Sequence, residues 1–148
     1  MNKYLNKSVI VPWDFSEMSI AALKSTLEMV DSPDKIVVVH VTPYPTTSDP
    51  AVIWGTLTEE SVTKNLRKSF DEACRAHDLP EGLLFKAVFG DPGSEIADLA
   101  KESDAGLVVI SSHGRSGLTR MLLGSVAERV VRLSPCPVLV LRKDESEA

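Results

Sequence analysis

Five short runs rich in branched apolar residues recur along the chain, at Ser8 to Trp13, Lys35 to Thr42, Leu83 to Phe89, Gly106 to Ser111 and Pro137 to Arg142, with helical patterns between them. That alternation calls for a parallel sheet with helices on both faces, since parallel strands need a crossover long enough to hold a helix. Val9-Ile10-Val11 and Val37-Val38-Val39 are unbroken apolar triplets, as a strand buried on both faces requires. The Leu83 run carries Lys86 in its middle, a charge that suits an edge strand.

Helical spacing fills the gaps. Ile20, Leu23, Leu27 and Val30 make one apolar face behind Ser16, placed as an N-cap with Glu17 favouring the positive helix start. Val62, Leu66, Phe70, Ala73 and His77 follow Thr58, another cap, with Glu59 and Glu60 in the first turn, and form the longest helix. Asp91-Pro92 reads as N-cap then N1, where the missing amide hydrogen of proline costs nothing, ahead of Ile96, Leu99 and Ala100. A last stripe of Val126, Val130 and Leu133 ends before Pro135. Pro43 to Gly55, with three prolines and no periodicity, reads as a long loop, and the acidic tail Asp144 to Ala148 as a solvated end.

Bulk properties narrow the function. At 148 residues the chain is expected to form one domain, residues 1–148, around one core. Its net charge of −5 argues against a nucleic-acid partner, which needs a basic face. The longest apolar runs fall far short of the roughly 20 residues that cross a bilayer, and the N-terminal run is too short for a secretory core, so the expected location is cytoplasmic. Cys74 and Cys136 lack any metal-ligand or disulfide-framework spacing and read as buried or half-buried structural thiols. No metal cluster is expected from His40, His77 and His113, which fall on a strand, a helix end and a loop.

In an open parallel sheet, ligands bind beyond the carboxyl ends of the strands, where the connections switch faces. The first strand ends Pro12-Trp13-Asp14, the second ends Val41-Thr42, and the fourth runs out through Ser111-Ser112-His113-Gly114-Arg115-Ser116-Gly117. Gly114, Gly117 and Gly124 let backbone amides approach an anion without a Cβ in the way, and Ser125 opens a helix whose dipole favours negative charge. From His113 to Arg132, Arg115, Arg120, Arg129 and Arg132 face one acid, Glu128, which favours anions locally. Neither of the common phosphate-loop patterns is present. Asp14 has two readings, as a hydrogen-bond acceptor for a sugar or an adenine amino group and as a tie for the start of the first helix. Trp13 has two as well, stacking on a base or packing in the core. Val41 can offer backbone groups only.

Over nearly its whole length the sequence resembles the universal stress protein family. The blocks that carry the likeness are Val11-Pro12-Trp13-Asp14-Phe15-Ser16, Val39-His40-Val41, Ser112 to Leu118, Leu122 to Glu128, and Pro135-Cys136-Pro137-Val138-Leu139-Val140. The resemblance implies a Rossmann-like, three-layer α/β/α fold with a five-stranded parallel sheet in the order 3-2-1-4-5. It also implies a nucleotide motif of Gly-x-x-Gly, nine residues, then Gly-Ser. Here the second glycine is Gly114, the nine residues run from Arg115 to Leu123, and the closing pair is Gly124-Ser125, while Ser111 stands at the first glycine position.

Carried over residue by residue, the resemblance gives Asp14 the adenine or ribose, Val41 the adenine edge through its backbone, and Gly114 to Ser116 with Ser125 and Val126 the phosphates. Pro12, Trp13, Ser111, His113 and Gly117 complete the implied site. The implied ligand is ATP or another adenine nucleotide with Mg²⁺ on its phosphates, and the implied assembly is a homodimer through the last strand. Two other readings stand beside this one: a dimeric interaction protein of the same fold without nucleotide, and a slow ATPase. For an enzyme the sequence offers no G-x-S-x-G elbow and no metal-ligand cluster.

Overall fold

The computed structural model describes residues 3–45, 50, 55, 57–112 and 123–142. Its elements alternate: β1 (Val9–Pro12), α1 (Glu17–Met29), β2 (Ile36–Thr42), α2 (Glu59–Ala76), β3 (Leu84–Phe89), α3 (Pro92–Glu102), β4 (Leu107–Ser111), α4 (Ser125–Leu133) and β5 (Val138–Leu141). A single turn of 3₁₀ helix at Pro33–Lys35 leads into β2. The strands form one parallel sheet in the order β3-β2-β1-β4-β5. Lys86 lies on the edge strand β3 and is exposed, as its charge requires.

The sheet separates two apolar layers. Val9, Val11, Ile36, Val38 and Val109 pack with Leu23 of α1 and Phe70 of α2 on one face. Ile10, Val37, Val39, Val108 and Ile110 pack with Ile96, Leu99 and Ala100 of α3 and Ala127 and Val130 of α4 on the other. The twofold alternation of strand side chains therefore feeds both layers from the same unbroken runs. Ile10 is fully buried at the centre of the sheet, and truncating such a residue to alanine costs about 2–5 kcal/mol.

Right-handed crossovers explain which helix covers which face. From β1 to β3 the chain steps one way across the sheet and lays α1 and α2 on one side; from β3 it returns to β4 and β5, stepping the other way, and lays α3 and α4 on the opposite side. The reversal falls between the neighbours β1 and β4, and it opens the crevice between them.

Three helix starts follow the expected chemistry. The side chains of Ser16, Thr58 and Asp91 accept from the backbone N–H of Ser19, Ser61 and Ser94, and Thr58 forms a reciprocal capping box with Ser61. Other expectations need correction. Val30 is the C-cap of α1 and still packs on the core face with Ile20, Leu23 and Leu27, whereas Leu133 is 43% exposed at the end of α4 and leaves the buried stripe. Of the expected loop, Pro50 has helical backbone and Gly55 turns with φ of 72°; 46–49, 51–54 and 56 lie outside the described residues, as does the tail from 143. Cys74 and Cys136 are half-buried free thiols; burial foremost, then Asp71, pushes the Cys74 thiol up from its ordinary range. Among the described residues, no helix is long and apolar enough to cross a membrane.

Candidate functional site

A cavity of about 220 Å³ occupies the crevice at the carboxyl ends of β1, β2 and β4. Its walls come from Pro12, Trp13 and Asp14 after β1, Val39, His40 and Val41 of β2, and Ile110, Ser111 and Ser112 at the end of β4. The helices contribute Ser19 from α1, Pro92 and Ile96 from α3, and Ser125, Val126 and Ala127 from the first turn of α4, with Gly124 just ahead of them. Apolar walls with a few convergent polar groups are what small-molecule sites commonly show.

The start of α4 differs from the other helix starts. Its cap is Gly124, which has no side chain to turn back on the first amides. The first helical bond runs from Glu128 N to Gly124 O at 2.9 Å, so the N–H groups of Ser125, Val126 and Ala127 precede the intrahelical ladder. Gly124 is itself fixed by its N–H donating to Ser112 O at 2.7 Å, which ties the helix start to the end of β4. Amides and helix dipole therefore converge on one wall of the cavity and favour an anion there.

The arginines do not add to that wall as the sequence led one to expect. Arg129 pairs with Asp91, Nε to Oδ2 at 3.0 Å, and donates to Ser94 Oγ at 3.1 Å; Arg132 pairs with Glu128 at 3.2 Å. Both charges are used within the protein. Arg115 and Arg120 lie outside the described residues.

The end of β2 presents its backbone to the cavity. Trp13 N donates to Val39 O at 2.7 Å, so Val39 faces β1, while Gly90 N donates to Thr42 O at 3.0 Å, so Thr42 faces β3. By the twofold alternation, Val41 turns its N–H and C=O to the β1 side, one step beyond the last β1 rung at Pro12–Val39. Trp13 O, where the ladder would continue, meets His40 Nδ1 at 2.7 Å instead. A donor and an acceptor thus stand side by side at the mouth of the crevice, the pairing that the edge of an adenine offers in return.

Asp14 combines its two sequence readings. Its Oδ1 accepts from Ser16 N at 3.0 Å, tying down the residue that caps α1, and the residue borders the cavity. For Trp13, the ring packs in the core: the residue is 2% exposed and makes T-shaped contacts with Phe15 and Phe70, and that burial leaves no room for a base to stack on it. Pro12, Asp14, Val41, Ser111, Gly124, Ser125 and Val126 come together around the cavity as expected, whereas His113, Gly114, Arg115, Ser116 and Gly117 lie outside the described residues. Of the residues lining the cavity, sequence reasoning did not name Ser19, Val39, His40, Pro92, Ile96, Ile110, Ser112 or Ala127 as site residues. Of these only His40 carried a signal, as the polar residue that interrupts an apolar run at the carboxyl end of a strand.

The match to known proteins extends over this same frame. Residues 6–142 match the model of the universal stress protein family. The chain belongs to the universal stress protein family. A universal stress protein of Methanocaldococcus jannaschii is 34% identical, over 97% of this chain and 86% of its own. The solved universal stress protein UspA from Lactobacillus plantarum shares the fold with a TM-score of 0.72 at 20% identity, covering 96% of this chain and all of its own. A universal stress protein solved in complex with cAMP aligns with a TM-score of 0.55 at 25% identity, over 91% of this chain and 95% of its own. Universal stress protein membership and the observed strand order agree, since the order 3-2-1-4-5 is the one the resemblance implied.

Proposed function

We propose that the protein is a nucleotide-binding regulatory module of the stress response that holds ATP, or another adenine nucleotide, in the cavity at the β1–β4 switch point. The observation that carries this reading is the α4 start: a helix without a side-chain cap, opening on a cavity that Val41 at the end of β2 also lines. The adenine edge meets Val41, the sugar lies near Asp14, and the phosphates reach the amides of Ser125 and Val126. The cAMP complex of a relative supports an adenine nucleotide as the ligand class.

A cavity of about 220 Å³ is close to the lower end of ligand pockets, roughly 300 Å³, and suits a base and sugar whose phosphates extend outward. Mg²⁺ fits as a passenger on those phosphates. Among the described residues no three His, Cys, Asp or Glu side chains gather to hold a metal, and Asp14 is the one carboxylate lining the cavity. The module works in the cytoplasm as a homodimer joined at β5, an edge strand whose Leu139 is 37% exposed.

Native mass spectrometry of the purified protein, followed by calorimetric titration with ATP, ADP and AMP at fixed Mg²⁺, tests the reading. A bound adenine nucleotide or a micromolar dissociation constant is expected. No bound nucleotide together with no heat for any of the three would leave the dimeric interaction protein as the function.

A further inference from the structure

Phe15 forms the turn from β1 into α1 with φ of 66°, in the left-handed region. A side chain there crowds the following carbonyl, and glycine is the usual occupant. Among the described residues the other non-glycine cases are Asp78 and Asp104, of a type that tolerates the conformation through short polar side chains. Phe15 has no polar handle. Its ring stands edge-on to Trp13 at 5.7 Å and to His40 at 5.2 Å.

Those contacts close a frame. Trp13 N reaches Val39 O at 2.7 Å, and Trp13 O meets His40 Nδ1 at 2.7 Å. A carbonyl only accepts, so Nδ1 carries the proton and the imidazole orientation is set. Phe15 is wedged against both partners, with Asp14 on one side of it in the chain and Ser16 on the other. The bond from Ser16 N to Asp14 Oδ1 at 3.0 Å spans Phe15, so the conformation of Phe15 determines where the Asp14 carboxylate lies.

We propose that Phe15 is a positioning residue for nucleotide recognition: its ring, held between Trp13 and His40, keeps the turn in the left-handed conformation that presents the Asp14 carboxylate to the cavity. The proposal rests on the nucleotide reading above. Glycine would adopt this turn without strain but would not hold it, since glycine populates both signs of φ about equally. An aromatic residue locked by packing trades backbone strain for a fixed carboxylate, a trade that recurs where strained backbone sits at ligand sites.

The test is calorimetry on the full chain with AMP, 2′-deoxy-AMP and IMP, for the wild type, Asp14→Asn, Phe15→Gly and the double variant. The three ligands differ in one sugar hydroxyl or in the base amino group. Asp14→Asn is expected to erase the preference for one of those groups. Phe15→Gly is expected to reduce that same preference roughly tenfold, about the size of one misplaced charge-assisted hydrogen bond. It should have no further effect in the Asp14→Asn background. The proposal is overturned if Phe15→Gly keeps the wild-type preferences, if it weakens all three ligands alike and additively with Asp14→Asn, or if Asp14→Asn alters no preference. Absence of binding by the wild type would instead bring down the nucleotide reading, and this proposal with it. Should circular dichroism show Phe15→Gly unfolded, Phe15→Leu, which keeps bulk but loses the ring, is expected to lower the same preference, and an unchanged preference would overturn the proposal.

Discussion

The guanidinium of Arg129 lies 3.0 Å from the carboxylate of Asp91, so a residue of α4 holds the N-cap of α3. The approach is close: a Cβ on Gly93 would come within 2.6 Å of the Arg129 methylenes, and only glycine lets the arginine lie across α3. The same two helices supply Pro92, Ile96, Ser125 and Val126 to the cavity wall.

Asp91 gives this junction a pH dependence with a definite sign. Its carboxyl is held below the ordinary value, first by hydrogen bonds from Ser94 and then by Arg129. A depressed folded value means that the stabilisation is present above the unfolded pKa, about 3.9, and is lost as pH falls through the folded one. Urea unfolding of wild type and Asp91→Asn is expected to show a stability gap at pH 7 that narrows below about pH 4. A gap that stays constant across that range would refute the assignment.

Gly124→Asp tests the bare helix start. An aspartate there caps α4 with its own carboxylate, as Asp91 caps α3, and places a negative charge where the proposed phosphate site lies. Affinity for ATP is expected to fall by roughly 100-fold, from like-charge repulsion and the loss of the amide site. Gly124 has φ of −60° and ψ of 153°, ordinary for any residue, so backbone strain does not account for such a loss. Titration by calorimetry decides it, and unchanged affinity would place the phosphates elsewhere.

Ser111 ends β4 in regular strand backbone, and it is absent from the residues with positive φ. The serine at this position of the family motif therefore adds no strain. Ser111→Gly is expected to loosen ATP binding modestly, by about two- to fivefold, through loss of a hydroxyl at the cavity wall. A clear gain in affinity would show that the serine side chain obstructs the ligand and that its hydroxyl makes no compensating bond.

Leu139→Lys tests the edge. β5 pairs with β4 on one side only, and Leu139 is 37% exposed on it. A lysine there is expected to turn the proposed dimer into a monomer in sedimentation at micromolar concentration while leaving the fold intact, because a charge on an edge strand opposes pairing. A wild-type protein that sediments as a monomer would sink the dimer outright.

The sequence by itself determined the elements and their order. Apolar runs, caps at Ser16, Thr58 and Asp91, and Pro92 at N1 are local signals, because each depends on residues within about one turn. It also pointed to the strand ends where the cavity opens, since Pro12, Asp14, Val41 and Gly124 are legible as terminations of strands and the start of a helix.

Tertiary structure alone decided the rest. The Arg129 and Arg132 charges counted as anion attraction in the sequence, but distances to Asp91 and Glu128 show them spent inside the protein. Trp13 was open to two roles until the crossing of β1 under α1 and α2 placed its ring between Phe15 and Phe70. Ile96 and Ala127 reach the cavity only because α3 and α4 share one face of the sheet, a consequence of crossover handedness that no residue of either helix announces. Local chemistry fixes what each segment becomes; pairing partners and ring neighbours depend on contacts between residues far apart in the chain, and these exist only once the sheet has formed.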